Sequence, residues 1–388
     1  MGREEIFNSL TLEQMRNFKG RKWTLYGPDV IPMYVADPDF PVPLEIKKTI
    51  IDAVQEHGRL GYARDEEAKA AMAEKVTKRN GINAKPSDIM IIQGVTPAMW
   101  LAVRHACQPG DEVIVTNPMY RPFFTAVEAN GAKLVYHNLY EEDGYKFDID
   151  ALNELVTEKT KLIMVCNPHN PCGRVLTKEE LRGIGEVAVD HNLTIMVDEL
   201  HEDIVLDGRK HISIASISPE IEERTITAFG FSKTYGIAGL QIGYIVATNK
   251  QIMENLMKVG RGIVRGATSL SMVAVPIMLD DTLKWWRESL VKHITKIRNL
   301  MERRFERIPG ITCTKLEGTY IMFPNLSSYG KTSKEMADYL LKEAKVAVSE
   351  GSVFGTNGEG HVRMIIATSE EIINEALNRV ERALSKLK

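Results

Sequence analysis

Short apolar runs alternate with amphipathic stretches through the middle of the chain, and this alternation predicts the fold. The apolar runs are Ile89–Gln93, Glu112–Thr116, Lys133–His137, Leu162–Cys166, Thr194–Asp198, Arg224–Phe229 and Ile242–Ala247. Helical patterns such as Pro97–Ala106 and Lys178–His191 lie between them. Strands that alternate with helices are typical of parallel strands joined by crossover helices. The pattern therefore predicts an α/β protein.

The chain on either side of this region has a different pattern. Residues 1–30 are polar and mixed, with a short helix predicted around Leu12–Phe18, and Val30–Pro43 holds four prolines that require extended chain and turns. Helices are predicted at Leu44–His57, Asp65–Asn80, 281–308, Ser333–Ala344 and Glu370–Leu387, and strands at Thr319–Phe323 and Val362–Ala367. The last part of the chain is therefore predicted to form a smaller α+β unit.

Composition narrows the class of protein. The 388 residues are 44% hydrophobic and carry a net charge of −3, which favours a globular protein without electrostatic preference for nucleic acid or membranes. Few, scattered cysteines indicate a reducing compartment, so we expect a cytoplasmic location. Cys166 and Cys172 flank His169, but this spacing matches no common zinc pattern. We expect two buried thiols and no metal.

Polar or glycine residues stand where several predicted strands end. They are Gly94, Tyr120, Asn170, Asp198 and Lys233. In open α/β sheets ligands bind at the carboxyl edge of the strands. These positions therefore predict a binding site at that edge.

Lys233 lies between two apolar runs, flanked by Ser232 and Thr234. A buried lysine is costly unless it is neutralised, paired or used covalently. A desolvated lysine forms Schiff bases with carbonyls, including pyridoxal phosphate. A loop lysine that reaches solvent is the alternative that this segment alone leaves open.

Several motifs together resemble a known family. The segments Asn167–Gly173 (NPHNPCG), Asp198–His201 (DELH) and Phe231–Leu240 (FSKTYGIAGL), with Arg363 near the end, are similar to fold-type I pyridoxal-phosphate enzymes of the class I/II aminotransferases. The resemblance implies a large domain with a mainly parallel seven-stranded sheet and a small α+β domain. It also implies a homodimer with shared active sites. We expect residues 1–45 to form an arm and part of the small domain, 46–285 the large domain and 286–388 the small domain.

The resemblance assigns roles around the ring of the cofactor, pyridoxal 5'-phosphate. Lys233 would form the Schiff base and act as the acid/base, and Asp198 would pair with the pyridine nitrogen, although aspartate after a strand is also a common helix N-cap. Asn170 would bond the phenolic oxygen and contact the substrate, with a turn asparagine as the alternative. Tyr120 would stack on the ring or serve packing alone. His201 stands where many aminotransferases have a tyrosine.

The phosphate group is implied to lie at the start of a helix. Gly94, Val95 and Thr96 offer backbone N–H groups and a hydroxyl, and Ser232 adds a donor. Tyr62 matches a catalytic and cofactor-binding tyrosine supplied by the partner subunit. The sequence departs from the family where Gln241 replaces a phosphate-binding arginine and Gly230 replaces a serine.

Arg363 would hold the substrate carboxylate in a bidentate fork, unless it is a strand-edge surface charge. Ala36 is also implied to contact the substrate. Arg265 falls where aspartate-specific relatives have a second carboxylate-binding arginine, although it could equally be a surface cation.

Two enzymatic activities and one binding function fit these residues. We expect an amino-acid aminotransferase that uses a 2-oxo acid and acts on an acidic, aromatic or other L-amino acid. The alternative is a C–S β-lyase that makes pyruvate and ammonia, because Val35–Phe40 (VADPDF) and Asp198–His201 resemble that branch. A non-enzymatic regulator would normally carry a DNA-binding segment, for which the chain has no room. The motifs leave the amino-acid substrate open.

Overall fold

Strands from the middle of the chain build the main sheet of the protein, which this computed structural model describes over residues 5–57, 61–264 and 266–387. The strands are β1 Ile31–Pro32, β2 Ile89–Ile92, β3 Glu112–Asn117, β4 Lys133–Asn138, β5 Thr160–Cys166, β6 Thr194–Asp198, β7 Thr225–Gly230, β8 Gly243–Val246, β9 Ile321–Met322, β10 Val346–Ala347, β11 Ser349–Glu350 and β12 Val362–Ile365.

The helices flank this sheet and build the rest of the molecule. They are α1 Leu12–Arg16, α2 Arg21–Thr24, α3 Leu44–His57, α4 Glu66–Lys75, α5 Thr96–Ala106, α6 Pro122–Ala129, α7 Ile149–Glu154, α8 Lys178–Asp190, α9 Pro219–Glu222, α10 Ser232–Tyr235, α11 Lys250–Gly260, α12 Ser269–Leu279, α13 Lys284–Phe305, α14 Ser333–Tyr339 and α15 Glu370–Leu384. In the described parts of the chain no helix is long and apolar enough to cross a bilayer.

The main sheet has seven strands in the order β2-β8-β7-β6-β5-β3-β4 among the described residues. Strand β8 runs antiparallel to both neighbours, and the other pairs are parallel. The predicted mainly parallel seven-stranded sheet is therefore confirmed. Strands β5, β6 and β7 end side by side, with Cys166 opposite Asp198 and Asp198 opposite Ala228. This register places Asp198 beside the ends of the two neighbouring strands, at the edge where the binding site is predicted.

The central strands are buried on both faces, as parallel strands normally are. Leu162 and Met164 of β5 pack in one apolar cluster with residues of α5, α6 and α11, whereas Ile163 and Val165 pack in another with residues of α8. Successive side chains of a strand point to opposite faces, so a continuous apolar run serves both layers. The core thus holds the strand ends rigidly in place.

A second unit is built from both ends of the chain. Strands β11, β12 and β9 form an antiparallel sheet, and β1 pairs with β10 in parallel, with Ile31 opposite Val346. The N-terminal segment is therefore tied to the C-terminal quarter by backbone pairing. The predicted domain limits, at residues 45 and 285, stay a prediction.

Some predicted elements differ from the structure. The helix predicted at Asp65–Asn80 ends at Lys75 and continues as a π-helical turn over Val76–Asn80. Helix α12 was missed because Ser269–Leu279 is apolar on nearly all sides and has no helical period to detect. It begins at a Thr268 cap, whose hydroxyl accepts the N–H of Ser271.

The cysteine environment agrees with the sequence prediction. Cys166 and Cys172 are buried free thiols, and burial raises the pKa of each. The Nε2 atom of His169 lies 3.0 Å from the Thr116 hydroxyl. These two thiols therefore belong to the packed interior.

Candidate active site

A cleft of about 400 Å³ opens at the carboxyl edge of the main sheet. The predicted site residues that line it are Ala36, Gly94, Val95, Thr96, Tyr120, Asn170, Asp198, His201, Ser232, Lys233 and Arg363. They come from the strand ends, the N-terminal segment and β12, which are far apart in sequence. Only the folded sheet brings them together.

Lys233 lies where β7 turns into the short helix α10. Its Nζ atom donates a hydrogen bond to the Ala36 carbonyl at 2.6 Å. Burial lowers the pKa of Lys233 to about 8, opposed by the Asp37 carboxylate and assisted by the Arg363 charge. A lysine with this pKa has a sizeable neutral fraction near pH 8, which a nucleophilic amine requires.

Asp198 ends β6 and is buried, with 5% of its surface exposed. Its Oδ1 accepts the N–H of Leu200 at 2.9 Å, which closes a tight turn. Among the described residues no α-helix begins there, since the next one is α9, so the N-cap alternative does not hold. Burial raises the pKa of Asp198 to about 6, against the opposing effects of the Leu200 N–H and Lys233. This carboxylate would gain from a cationic partner in the cleft.

Arg363 is buried with 7% of its surface exposed, so the surface-charge alternative does not hold. Its Nη2 donates to the Tyr34 carbonyl at 3.0 Å and its Nη1 to Asn170 Oδ1 at 3.3 Å. Its guanidinium lies 4.5 Å from the ring centre of Phe354, and its Nε has no hydrogen-bond partner among the described residues. Desolvation lowers the pKa of Arg363 to about 10, so the group stays charged at neutral pH. A buried, incompletely bonded cation favours an anionic ligand.

Aromatic and imidazole groups complete the walls of the cleft. The His201 ring packs edge-on to Tyr320 with centres 5.5 Å apart. Burial lowers the pKa of His201 far below its usual value, so the imidazole is neutral. In the part of the chain that the structure describes, its Nδ1 has no hydrogen-bond partner. Burial raises the pKa of Tyr120, whose phenol therefore stays protonated. Both side chains can donate hydrogen bonds without bringing charge.

The opposite end of the cleft is built from the start of α5. Gly94 has φ +74° and Val95 forms the N-cap of this helix, which spans eleven residues. Free N–H groups and the dipole at such a terminus favour anions. Gln241 also lines the cleft, and Arg363 is the one arginine among its described lining residues. The anion end therefore relies on neutral donors.

The structure explains one departure from the family pattern. A Cβ atom on Gly230 would lie 2.6 Å from Leu200 Cδ1 and 2.9 Å from Val95 Cγ2. Serine at this position would require both side chains to move. Gly230 thus allows the strand to pack closely against the loops that carry the site.

Several residues of the site were missed or lie elsewhere. Tyr34, Tyr320 and Phe354 support Ala36 or Arg363, and the sequence patterns predict a role in the site for none of the three. Tyr62 is fully exposed and does not line the cleft of its own chain. Arg265 lies outside the described residues.

The cleft fits pyridoxal phosphate on physical grounds. It offers a lysine amine of lowered pKa, a buried carboxylate to which no described residue donates a cationic hydrogen bond, and a helix N-terminus for an anion. Its volume lies in the range usual for small-molecule sites, about 300–1,000 Å³. The unpartnered nitrogens of Arg363 and His201 remain available to bound groups.

Comparison with known proteins agrees with this chemistry. Residues 28–380 match the family model of aminotransferase class I and II. The chain is 35% identical to an aspartate aminotransferase of Pyrococcus abyssi over 93% of each protein. It is 32% identical to cystathionine beta-lyase PatB of Bacillus subtilis, covering 92% of this chain and 93% of that protein.

A solved structure extends the comparison. Cystalysin from Treponema denticola, which contains a pyridoxal 5'-phosphate cofactor, superimposes with a TM-score of 0.91 at 31% identity, covering 96% of this chain and 97% of that one. The cofactor of this protein is pyridoxal 5'-phosphate, and its fold is that of the fold-type I enzymes. The chain belongs to the class I and II aminotransferase family.

Proposed function

We propose that the protein transfers the amino group of an L-amino acid to a 2-oxo acid, with Lys233 as the residue that holds the cofactor and moves the proton. One observation carries this proposal: a single cleft holds a lysine of lowered pKa and a buried, incompletely bonded guanidinium. The lysine suits the amino end of an amino acid, and Arg363 suits its carboxylate. The family match supports the same reaction.

The described residues suggest how the cofactor is held. We assign Asp198 to the pyridine nitrogen, Asn170 to the phenolic oxygen and Tyr120 to the ring face. The backbone of Gly94–Thr96 and the Ser232 hydroxyl would hold the phosphate. A protonated ring nitrogen beside Asp198 would supply the cation that this buried carboxylate lacks.

The bound cofactor supplies a conjugated ring that takes up the electron pair left at the substrate α-carbon. Lys233, once free of the cofactor, removes the proton from that carbon and returns a proton to the reacting atoms. Arg363 would bind the carboxylate and so limit how the substrate lies relative to the amine of Lys233. The neutral His201 can donate a hydrogen bond to a bound group without adding charge.

We propose an acidic or aromatic amino acid as the substrate. The similarity to an aspartate aminotransferase supports an acidic one, and Arg265 is the cation proposed to bind its side-chain carboxylate. A charged hydrogen bond of this kind contributes about 1.5–3 kcal/mol, enough to select acidic substrates tenfold or more. Arg265→Ala should raise the KM for aspartate and leave that for an aromatic amino acid unchanged.

A second candidate is a C–S β-lyase. The likeness to PatB and to cystalysin favours it, as does a histidine rather than a tyrosine at position 201. Both reactions begin with removal of the α-proton, so the geometry of Lys233 and Arg363 serves either one. A lyase additionally needs a leaving group on the substrate β-carbon.

One parallel assay separates the two activities. The purified holoenzyme is incubated with cystathionine alone, and separately with aspartate plus 2-oxoglutarate. Oxaloacetate formed from aspartate, with little pyruvate from cystathionine, supports the aminotransferase. Pyruvate and ammonia from cystathionine, without oxaloacetate in the other reaction, would replace it with the lyase.

We also propose that the enzyme is a cytoplasmic homodimer with shared active sites. The four unpaired cysteines support a reducing compartment. The full exposure of Tyr62 supports a role in the cleft of a second copy, as the family pattern implies. In that arrangement Tyr62 would add a hydroxyl donor at the phosphate end.

A further inference from the structure

The main chain of residues 34–39, here called the spacer segment, contacts Lys233 and Arg363, the two cations proposed to act in the reaction. The Tyr34 carbonyl accepts Arg363 Nη2 at 3.0 Å, and the Ala36 carbonyl accepts Lys233 Nζ at 2.6 Å. Tyr320 also donates to the Ala36 carbonyl, at 3.4 Å. Two carbonyls separated by one residue thus fix the distance between the proton-transferring amine and the carboxylate anchor.

The spacer segment is itself held by a buried ion pair. Lys22 Nζ lies 2.9 Å from Asp39 Oδ1, and only 4% and 3% of the two side chains are exposed. The same ammonium donates to the Asp37 carbonyl at 2.8 Å. Trp23 donates its indole N–H to Asp39 Oδ1 at 2.7 Å. Lys22 therefore bonds both to the end of the spacer segment and to the residue next to Ala36.

The pair connects separate parts of the fold. Lys22 and Trp23 belong to the short helix α2 of the N-terminal arm. Asp39 also donates its backbone N–H to the Ala367 carbonyl, just beyond β12, the strand that carries Arg363. A buried ion pair is weak evidence for stability, because desolvation offsets the attraction. Its use here is better explained by the position that it imposes.

We propose that Lys22 and Asp39 are positioning residues for the reaction: their buried pair fixes the spacer segment, and through the Ala36 and Tyr34 carbonyls it sets the placement of Lys233 and Arg363. This inference rests on the proposed role of Lys233. It gives the N-terminal arm a function in the chemistry, although no residue of α2 lines the cleft.

The arrangement has an electrostatic consequence. The charged or titratable groups that face Lys233 are Asp37 from the spacer segment, Asp198 and His201 from the edge of the main sheet, and Arg363 from β12. The Asp37 carboxylate and the Ala36 carbonyl both favour the ammonium form of the lysine. If the spacer segment moves away, Lys233 loses these two contacts and part of its burial, so its pKa should shift from about 8.

The test variant is Lys22→Gln combined with Asp39→Asn, which removes both charges and keeps an acceptor for Trp23. The apoprotein is labelled with acetic anhydride across a pH series, and the extent of Lys233 acetylation is read by peptide mass spectrometry. We expect the midpoint of the labelling curve to shift by about half a unit or more relative to the wild type. We also expect kcat to fall about tenfold or more, for whichever of the two activities the wild type shows.

A matched control is Arg298→Gln with Asp207→Asn. This pair is also held by two short hydrogen bonds, of 2.9 and 2.7 Å, and Arg298 is buried. The Arg298–Asp207 pair joins α13 to the loop that contains Asp207, and neither residue lines the cleft. The control should lose comparable stability without moving the labelling midpoint.

A labelling midpoint that does not shift overturns the proposal, whatever happens to kcat, because a loss of activity alone would reflect general destabilisation. Where the double variant does not fold, Asp39→Asn alone gives the same readout. Acetylation needs no cofactor, so this result is independent of whether pyridoxal phosphate attaches to Lys233.

Discussion

At the scale of single residues, two groups in the cleft each carry an unfavourable free energy of burial in their charged form. Burial raises the pKa of Asp198 from 3.8 to about 6 and lowers the pKa of Lys233 from 10.5 to about 8. Each group is therefore less stable in its charged form in the folded apoprotein than in the unfolded chain. A cofactor that neutralises the lysine and brings a cation to the carboxylate relieves both costs. Binding is thereby linked to stability.

The pH dependence of this cost has a defined sign. The folded pKa of Asp198 is raised, so the unfolded chain releases the proton first as the pH rises from 3.8 to about 6. The favourable contribution of this group to the free energy of unfolding of the apoprotein is therefore fully present below pH 3.8 and lost above about pH 6. The folded pKa of Lys233 is lowered, so stability falls as the pH drops from 10.5 to about 8. At neutral pH both penalties are present.

We predict that Asp198→Asn stabilises the apoprotein while it cripples the enzyme. Asparagine keeps an acceptor for the Leu200 N–H and removes the buried charge. The gain at pH 7.5 should be about 3 kcal/mol and should shrink as the pH falls towards 4. Urea unfolding of the apoprotein at several pH values measures it. A variant that is less stable at pH 7.5, or that keeps near-normal activity, would show that the carboxylate has another role.

At the scale of secondary-structure elements, each strand end presents one group and the following turn fixes its direction. Gly94 is the clearest case, because φ +74° lies in the left-handed region and a Cβ atom added at this position would meet nothing within 4 Å. Replacement of Gly94 by a residue with a side chain should therefore cost conformational free energy and cause no steric clash. The turn places the start of α5 at the wall of the cleft.

We predict that Gly94→Ala costs about 1 kcal/mol of stability and weakens binding of pyridoxal phosphate about tenfold. Equilibrium dialysis of the apoprotein measures the affinity. Gly330→Ala is the matched control, since its φ is +67° and its Cβ would also meet nothing within 4 Å. Equal losses of affinity in both variants would mean that strain alone, and not the placement of α5, explains the effect.

The elements also show how far sequence reasoning reaches. Helix α3 and strand β6 have the predicted bounds, because Leu44–His57 has a clear helical period and Thr194–Asp198 is an isolated apolar run. Contacts between residues that are far apart in the sequence cannot be predicted from such local patterns. The partnership of Ala36 with Lys233, and that of Lys22 with Asp39, join residues that no local pattern relates.

At the scale of the whole molecule, the site joins the main sheet to the unit that contains both chain ends. Arg363 comes from β12, whereas Asp198 ends β6 of the main sheet and Lys233 lies in α10, directly after β7. The spacer segment contacts Arg363 and Lys233 alike. Movement of one unit against the other would therefore change the distance between the two cations.

We predict that the enzyme needs two copies of the chain for full activity. Tyr62→Phe should weaken binding of pyridoxal phosphate several-fold by removing one hydroxyl donor, by about 1 kcal/mol. Light scattering should report a dimer at the concentrations at which the enzyme is active. A monomer with full activity would refute the role of Tyr62 and the shared site.

The measurement that tests the account most directly is the location of the covalent link to the cofactor. The holoenzyme is reduced with borohydride, digested and mapped by mass spectrometry, with Lys233→Ala treated in parallel. We predict that the added mass lies on Lys233, and that the variant binds pyridoxal phosphate without a covalent link and loses turnover by several orders of magnitude. A cofactor fixed on another lysine of the wild type, or a Lys233→Ala variant that keeps normal turnover, would contradict the account.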